Sequence, residues 1–294
     1  MSYPSKSFLY RHKLISAIRD IDLKGFRRFS LLLPKLLLPN PKYIGTHIIN
    51  TIHGVKLLID PSKDQGVELS LFQTGTYEKG TIRFILQHLK KGDRVLDIGA
   101  NIGLMSILAS KHIGKSGIVY AFEANPKTVE ILQSNIQLNN CNNIQLYPIA
   151  LSNTVGEALL FENWNVNRGG ASLYAQNKHE KGIPVETECL DNLFDSKTQI
   201  DLVKIDVEGF EAEVLLGGKE LFETQKPLFI VEVSNQRELE KGASPVEIFR
   251  LIQTFGTYTF YKNKGTKERK SKLIPILTES DLPEHDNIYC IPVK

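Results

Sequence analysis

An α/β fold, doubly wound about a mostly parallel sheet, is predicted by three observations. Short apolar runs suited to buried strands (Val95 to Ile98, Val119 to Phe122, Ile144 to Pro148, Ile200 to Asp206, Pro227 to Val233) alternate with segments whose apolar residues recur at helical spacing. The stretch Arg94-Val-Leu-Asp-Ile-Gly-Ala-Asn-Ile-Gly103 passes from a strand through a glycine turn into a helix N-terminus, the place where open α/β sheets hold nucleotide-like ligands. The length of 294 residues, with 41% hydrophobic and 23% charged, suits one large folded domain with additions.

Residues 1 to 42 read as a basic helical arm. Phe8, Leu14, Ile15, Ile18, Ile21, Phe26 and Phe29 are interleaved with Arg11, Lys13, Arg19, Lys24, Arg27 and Arg28, a pattern of one or two amphipathic helices. Nine Lys/Arg against two Asp give the arm +7, so a chain of net charge +3 leaves −4 for the rest, and no global nucleic-acid footprint follows. The run Leu31 to Leu38 is too short to span a bilayer, Pro34 and Lys35 interrupt it, and no signal-peptide cleavage pattern follows. Two readings stay open for the arm: an extension packed on the domain, or a peripheral contact with a membrane surface or partner. Residues 43 to 294 are expected to form the main domain.

Within 43 to 72, Thr46 to Ile52 and Val55 to Ile59 flank His53-Gly54 as a β-hairpin ahead of the main sheet. A helix is expected over Thr81 to Leu89. After the glycine turn, Leu104, Ile107, Leu108 and Ile113 mark a helix, and Asn125-Pro126 opens another with Val129, Leu132, Ile136 and Leu138 on its apolar face. Residues 153 to 190 depart from the βα alternation and read as a substrate-side insertion with added strands at Ala158 to Phe161 and Ile183 to Thr187. The polar loop between them, Asn163 to Ser172, offers Trp164, Asn167 and Arg168 as acceptor contacts; Trp164 could equally cover the insertion's own small core. Gly217-Gly218 should break the helix bearing Val214, Leu215, Leu221 and Phe222, and Ser244-Pro245 should cap the next. Tyr258 to Tyr261 and Ile288 to Ile291 read as the last two strands, and Lys262 to Lys272 as a solvated hairpin loop. Cys141, Cys189 and Cys290 are odd in number and far apart, forming neither a zinc pattern nor a disulfide framework, which suits a reducing cytoplasm.

Spacing decides which cofactor the glycine turn suits. A dinucleotide fingerprint would need glycines at 101 and 104, where this chain has Asn101 and Leu104. The pattern is instead an acid, Asp97, two residues before Gly99, with Gly103 four residues on. S-adenosyl-L-methionine has no pyrophosphate to pin, and its ammonium group suits a carboxylate such as Asp97. Val119-Tyr-Ala-Phe-Glu123 ends a second strand in an acid that can accept both ribose hydroxyls.

Asp97-Ile-Gly-Ala-Asn-Ile-Gly103, Phe122-Glu-Ala-Asn-Pro126, Ala150-Leu-Ser152 and Lys204-Ile-Asp-Val-Glu-Gly209, in this order, resemble the FkbM family of class I methyltransferases over residues 74 to 234. The family usually has Pro where Ala124 stands, which leaves the neighbouring acid in place. The resemblance implies a seven-stranded sheet of order 3-2-1-4-5-7-6 with the seventh strand antiparallel. It also implies S-adenosyl-L-methionine as cofactor, with Ala100, Ala124 and Asn125 beside the motif acids. Glu78, in Tyr77-Glu78, would lie near the cofactor, and Ala150 and Leu151 would make adenine contacts. O-methylation of a sugar, glycan or secondary-metabolite hydroxyl is the expected reaction. A module that binds the cofactor without turning it over, and a NAD-dependent sugar enzyme, are the alternatives. Nucleic-acid acceptors are not expected, because the Asn/Asp-Pro-Pro-aromatic motif is absent after the fourth strand, where Asp206-Val-Glu-Gly209 stands.

Strand geometry places the chemistry. Lys204 and Asp206, two apart, share a face, and Glu232 ends the neighbouring strand one spacing of ~4.8 Å away. Glu208 opens the helix beyond. Asp206 is expected to take or orient the acceptor proton, with Lys204, Glu208 and Glu232 setting its charge and position. Capping of that helix by Asp206, and neutralisation of Glu232 by Lys204, are the competing roles. No metal is assigned, since no His or Asn is expected beside these acids.

Overall fold

The computed structural model describes residues 6–21, 26–163, 167–174, 181–235, 242–269 and 272–293. The chain opens with helices α1 (Lys6–Arg19) and α2 (Phe26–Leu37) and a hairpin, β1 (His47–Asn50) with β2 (Lys56–Ile59). Helices α3 (Val67–Thr74) and α4 (Lys79–His88) lead to β3 (Arg94–Ile98), α5 (Leu104–Ile113), β4 (Ile118–Phe122), α6 (Pro126–Leu138) and β5 (Ile144–Tyr147). An insertion of β6 (Ala150–Leu151), β7 (Gly156–Asn163), β8 (Asn167–Ser172), β9 (Ile183–Glu188) and α7 (Leu190–Leu193) follows. The chain then continues through β10 (Leu202–Ile205), α8 (Glu211–Gly217), α9 (Lys219–Gln225), β11 (Leu228–Ser234), α10 (Pro245–Thr254), β12 (Tyr258–Asn263), β13 (Leu273–Ile276) and β14 (His285–Pro292).

The main sheet has the order β13-β12-β14-β11-β10-β3-β4-β5. Its strands from β5 to β11 are parallel, and β14 runs antiparallel to both of its neighbours. The sheet therefore has eight strands where seven are expected. The eighth, β13, contains Pro275 and pairs only with β12, an edge position where a missing N–H is tolerated. Two more expectations are corrected. The region 43 to 72 holds more than β-structure, because Val67-Glu-Leu-Ser-Leu-Phe-Gln-Thr74 coils into α3 and stops at Gly75, in the left-handed conformation. The polar stretch Asn163 to Ser172 is not a plain loop: Asn167 and Arg168 lie in β8, which pairs with β7. Trp164 lies outside the described residues.

Alternation along the strands separates two apolar layers. Val95, Val119, Leu202 and Ile230 face the layer holding α1, α3, α4 and α5, whereas Leu96, Tyr120, Val203, Phe229 and Val231 face the layer of α8, α9 and α10. The same period sends Asp97, Lys204 and Glu232 toward the first layer. The N-terminal helix belongs to that layer: Phe8, His12 and Ile15 are buried, and the His12 Nε2–H donates to the Phe72 carbonyl at 2.6 Å. Burial pushes His12 down to about 4, so it stays neutral in this contact. Among the described residues no helix is long and apolar enough to cross a membrane.

Candidate active site

The site forms where β3, β4, β10 and β11 end, around a cavity of about 780 Å³. The turn after β3 is possible only with glycine. Gly99 has φ +76°, and a Cβ there would sit 1.9 Å from the Asp206 carbonyl oxygen. The close approach is thus to the end of β10, which brings Asp206 against the cofactor turn. At Gly103 a Cβ would meet Leu132 Cδ1 at 2.4 Å, so this glycine serves packing against α6.

Fourteen of the residues singled out in the sequence line this one cavity. Asp97, Gly99, Ala100, Asn101 and Gly103 come from the turn, and Glu123, Ala124, Ala150 and Leu151 from the ends of β4 and β6. Glu78, Lys204, Asp206, Glu208 and Glu232 complete the set. Asn125 is not among the lining residues. Its side chain caps α6, accepting from the Lys127 N–H at 3.0 Å, and donates to Glu162 at 2.8 Å. Of the five non-glycine residues with positive φ among those described, Glu78, Asn101 and Glu208 line the cavity. Backbone strain of this kind gathers at functional sites.

Two of the acids lining the cavity end the strands beside the cofactor turn. Glu123 accepts the Asn101 N–H on one oxygen and the Asn125 N–H on the other, each at 2.9 Å, which fixes the plane of the carboxylate. Burial pushes it up to about 7 despite these bonds. Asp97 accepts from Ser106 Oγ at 2.5 Å, while its Oδ1 is buried with no hydrogen-bond partner among the described residues. Burial raises its pKa, opposed by the charge of Lys204. A buried acceptor without a donor beside a cavity suits a ligand ammonium, and an oriented carboxylate suits a pair of hydroxyls. The residues present therefore fit S-adenosyl-L-methionine.

Beside them lies an ion network, with Lys204 on the strand next to Asp97. Lys204 Nζ donates to Asp206 Oδ2 at 2.9 Å. Lys267 Nζ pairs with Glu78 Oε1 at 2.6 Å and also with Glu232. Burial alone would raise Asp206, but Lys204 and Lys267 hold it well below the usual carboxylate range. Burial and the charge of Asp206 push Glu232 up, against the pull of the Lys267 charge. Asp206 caps no helix. The turn before α8 is tied instead by Glu211, which accepts the N–H groups of Val207 and Gly209. Lys204 serves Asp206, and Lys267 serves Glu232. A histidine does stand near the acids, His285 Nε2 being 3.7 Å from Glu232, and Asp206, Glu208 and Glu232 place carboxylate oxygens within 4.8 Å of one another.

Lys267 is the residue that sequence reasoning missed. The segment Lys262 to Lys272 is a hairpin connection, but it is not wholly solvated. The Lys267 carbonyl accepts the Gly80 N–H at 2.8 Å, its N–H donates to Asp286 at 3.2 Å, and the residue is only 9% exposed. No local pattern announces this. The one available signal is charge balance: Asp206, Glu208 and Glu232 brought together need more than the single Lys204.

A profile of the methyltransferase FkbM domain matches residues 97–261. The hexuronic acid methyltransferase AglP of Haloferax volcanii is 27% identical over 177 residues, covering 60% of this chain and 67% of that protein. The ribosomal protein L11 methyltransferase of a Thermoanaerobacter species is 32% identical over 107 residues, covering 32% and 34%. The crystal structure of an FkbM methyltransferase from Methylobacillus flagellatus superposes with a TM-score of 0.50 at 13% identity, covering 96% of this chain and 58% of that one, a likeness of fold. With the domain profile spanning more than half of its length, the chain belongs to the FkbM family of methyltransferases, whose cofactor is S-adenosyl-L-methionine.

Proposed function

We propose that this protein transfers the methyl group of S-adenosyl-L-methionine to a hydroxyl oxygen of a sugar, glycan or secondary metabolite. The observation that carries this reading is Asp206, a carboxylate held ionised by two buried lysines and lining the same cavity as Asp97 and Glu123. When bound, the cofactor supplies a methyl group on a positively charged sulfur, which is left as a neutral thioether. Glu123 would orient the ribose, and Asp97 would hold the ammonium group. Gly99, Ala100 and Asn101 would follow the cofactor along the turn.

Asp206 would accept a hydrogen bond from the acceptor hydroxyl and receive its proton as the new oxygen–carbon bond forms. A carboxylate held this low is a weak base. It suffices here, because a hydroxyl oxygen gaining a methyl group becomes far more acidic than any carboxylic acid before the displacement is complete. Lys204 fixes the carboxylate and Glu232 stands beside it, so alignment supplies most of the catalysis. The activity named for AglP, on a hexuronic acid, supports a sugar acceptor. Three free cysteines, two of them buried, suit a cytoplasmic setting.

Isothermal titration and a labelled-cofactor screen test the reading. The protein should bind S-adenosyl-L-methionine in preference to NAD and label hydroxylated acceptors in pools of sugars, glycans and metabolites. Binding without any transfer would leave a non-catalytic cofactor-binding module, and label found only in RNA or protein pools would replace the acceptor class.

A further inference from the structure

We infer that the part of the cavity lined by Arg19 and Arg269 is an anion subsite, in which these two residues recognise a carboxylate or phosphate carried by the acceptor. This deepens the methyltransferase reading above and rests on it.

Arg19 is the last residue of α1 and lines the cavity, as does Arg269 from the loop between β12 and β13. Lys79 also lines the cavity, and its Nζ donates to the Ser16 carbonyl at 3.0 Å and to Ser16 Oγ at 3.2 Å, and pairs with Asp20. Lys79 is the clasp that ties α1 to α4, and Asp20 cancels its charge. Arg19 and Arg269 both lie close enough to it to oppose its protonation. Three cations thus crowd one edge of the cavity, facing Asp20 and Glu268 as counter-charges.

The Arg19 guanidinium is incompletely used. Among the described residues it makes one long hydrogen bond, Nη2 to Gln73 Oε1 at 3.4 Å, and its Nε–H is buried without an acceptor. A half-buried guanidinium with idle donors at a cavity wall, next to like charges, is costly unless a ligand oxygen completes it. Carboxylate and phosphate are the groups that match the guanidinium fork.

Position adds to the argument. Arg269 lies two residues beyond Lys267, which reaches Glu232 beside Asp206, and Lys79 follows Glu78, the other partner of Lys267. The anion subsite therefore borders the proposed acceptor position. The cavity is lined by Asp97, Glu123 and Asp206, which suit a cationic cofactor, and also by Arg19, Lys79 and Arg269, with Glu78 and Glu268 among them.

The test is calorimetry on the full chain saturated with S-adenosyl-L-homocysteine, using D-glucose, D-glucuronate and D-glucose 6-phosphate, which differ only at C6. One of the two anions should bind at least about tenfold more tightly than glucose, the scale of one charge-assisted hydrogen bond. Preference for glucuronate would name a carboxylate, and preference for glucose 6-phosphate a phosphate. Arg19→Gln should bring the preferred anion to within about twofold of glucose while leaving cofactor affinity unchanged, and Arg269→Gln, on the loop, should weaken it in the same direction. Equal binding of the three sugars, or a preference that survives both substitutions, would overturn the subsite. Anion preference without methyl transfer to any hydroxyl would instead refute the O-methylation reading and leave the subsite standing.

Discussion

At the scale of single residues, the site separates groups that hold charge from groups that move a proton. Lys204 is kept protonated by Asp206, Asp97 and Glu78 even though burial opposes its charge, and Lys267 is held in the same way by Glu78, Asp206 and Glu232. Both lysines lend charge to Asp206, and it lines the cavity. Asp206→Asn keeps the side-chain shape and removes the base. Turnover should fall by ~100-fold or more while cofactor affinity stays within error, the usual scale for a positioned acid–base group. Near-normal turnover by initial-rate measurement would remove Asp206 from the mechanism. Asp206, Glu208, Glu232 and Lys204 were legible because strand geometry and the family motif point at them. Lys267 was not, because a lysine in a basic, glycine-containing loop has the local signature of a solvated residue, and only the docking of that loop on α4 takes it out of water.

At the scale of elements, most helices and strands follow from the residues that form them, and the exceptions have physical causes. The break at Gly218 is expected from the glycine pair, and contact enforces it: a Cβ on Gly217 would lie 2.0 Å from the Ser152 carbonyl oxygen. Strand β13 is weak in sequence because Pro275 sits in it, and β8 because paired glycines do. The N-terminal helix is the element whose role sequence left open. Its Phe8 and Ile15 are 5% and 0% exposed, so removing it uncovers apolar surface and the wall that carries Arg19. A chain beginning at Tyr43 should therefore unfold at a lower temperature than the full chain, by scanning calorimetry. Tyr10, Leu14 and Leu36 remain 71%, 52% and 74% exposed beside basic residues, so the same two proteins also test the membrane contact. Co-sedimentation of the full chain alone with anionic liposomes is the expected result, and equal behaviour would reject it.

At the scale of the whole molecule, the fold holds acids in places that cost stability. Burial pushes Glu123, Glu208 and Glu211 up to about 7, above their ordinary 4.5. Between those values the native state binds more protons than the unfolded state, so their contribution to stability falls as pH rises through the window and levels off above it. His12 and His53, each lowered to about 4 by burial, act in the opposite direction between 4 and their ordinary 6.5. The readout must therefore be the difference made by one group. Glu123→Gln should gain stability relative to the natural protein between pH 5 and pH 8, by up to about 3 kcal/mol. Denaturant unfolding at the two pH values checks it, and a difference that shrinks as pH rises would contradict it. The same substitution should weaken cofactor binding if Glu123 holds the ribose.

What sequence determined by itself is the alternating sheet, the cofactor turn and the identity of the acids around it. Those features are local: a period of two in a strand, a glycine where φ must be positive, and an acid at a strand end are each set by neighbours in the chain. The tertiary structure alone decided which charges meet across the cavity. Lys267 and Glu78 are far apart in sequence and meet only when the segment after β12 docks on α4. No periodicity encodes that docking. It follows from pairing β12 with β14, and the site's charge balance follows from it in turn.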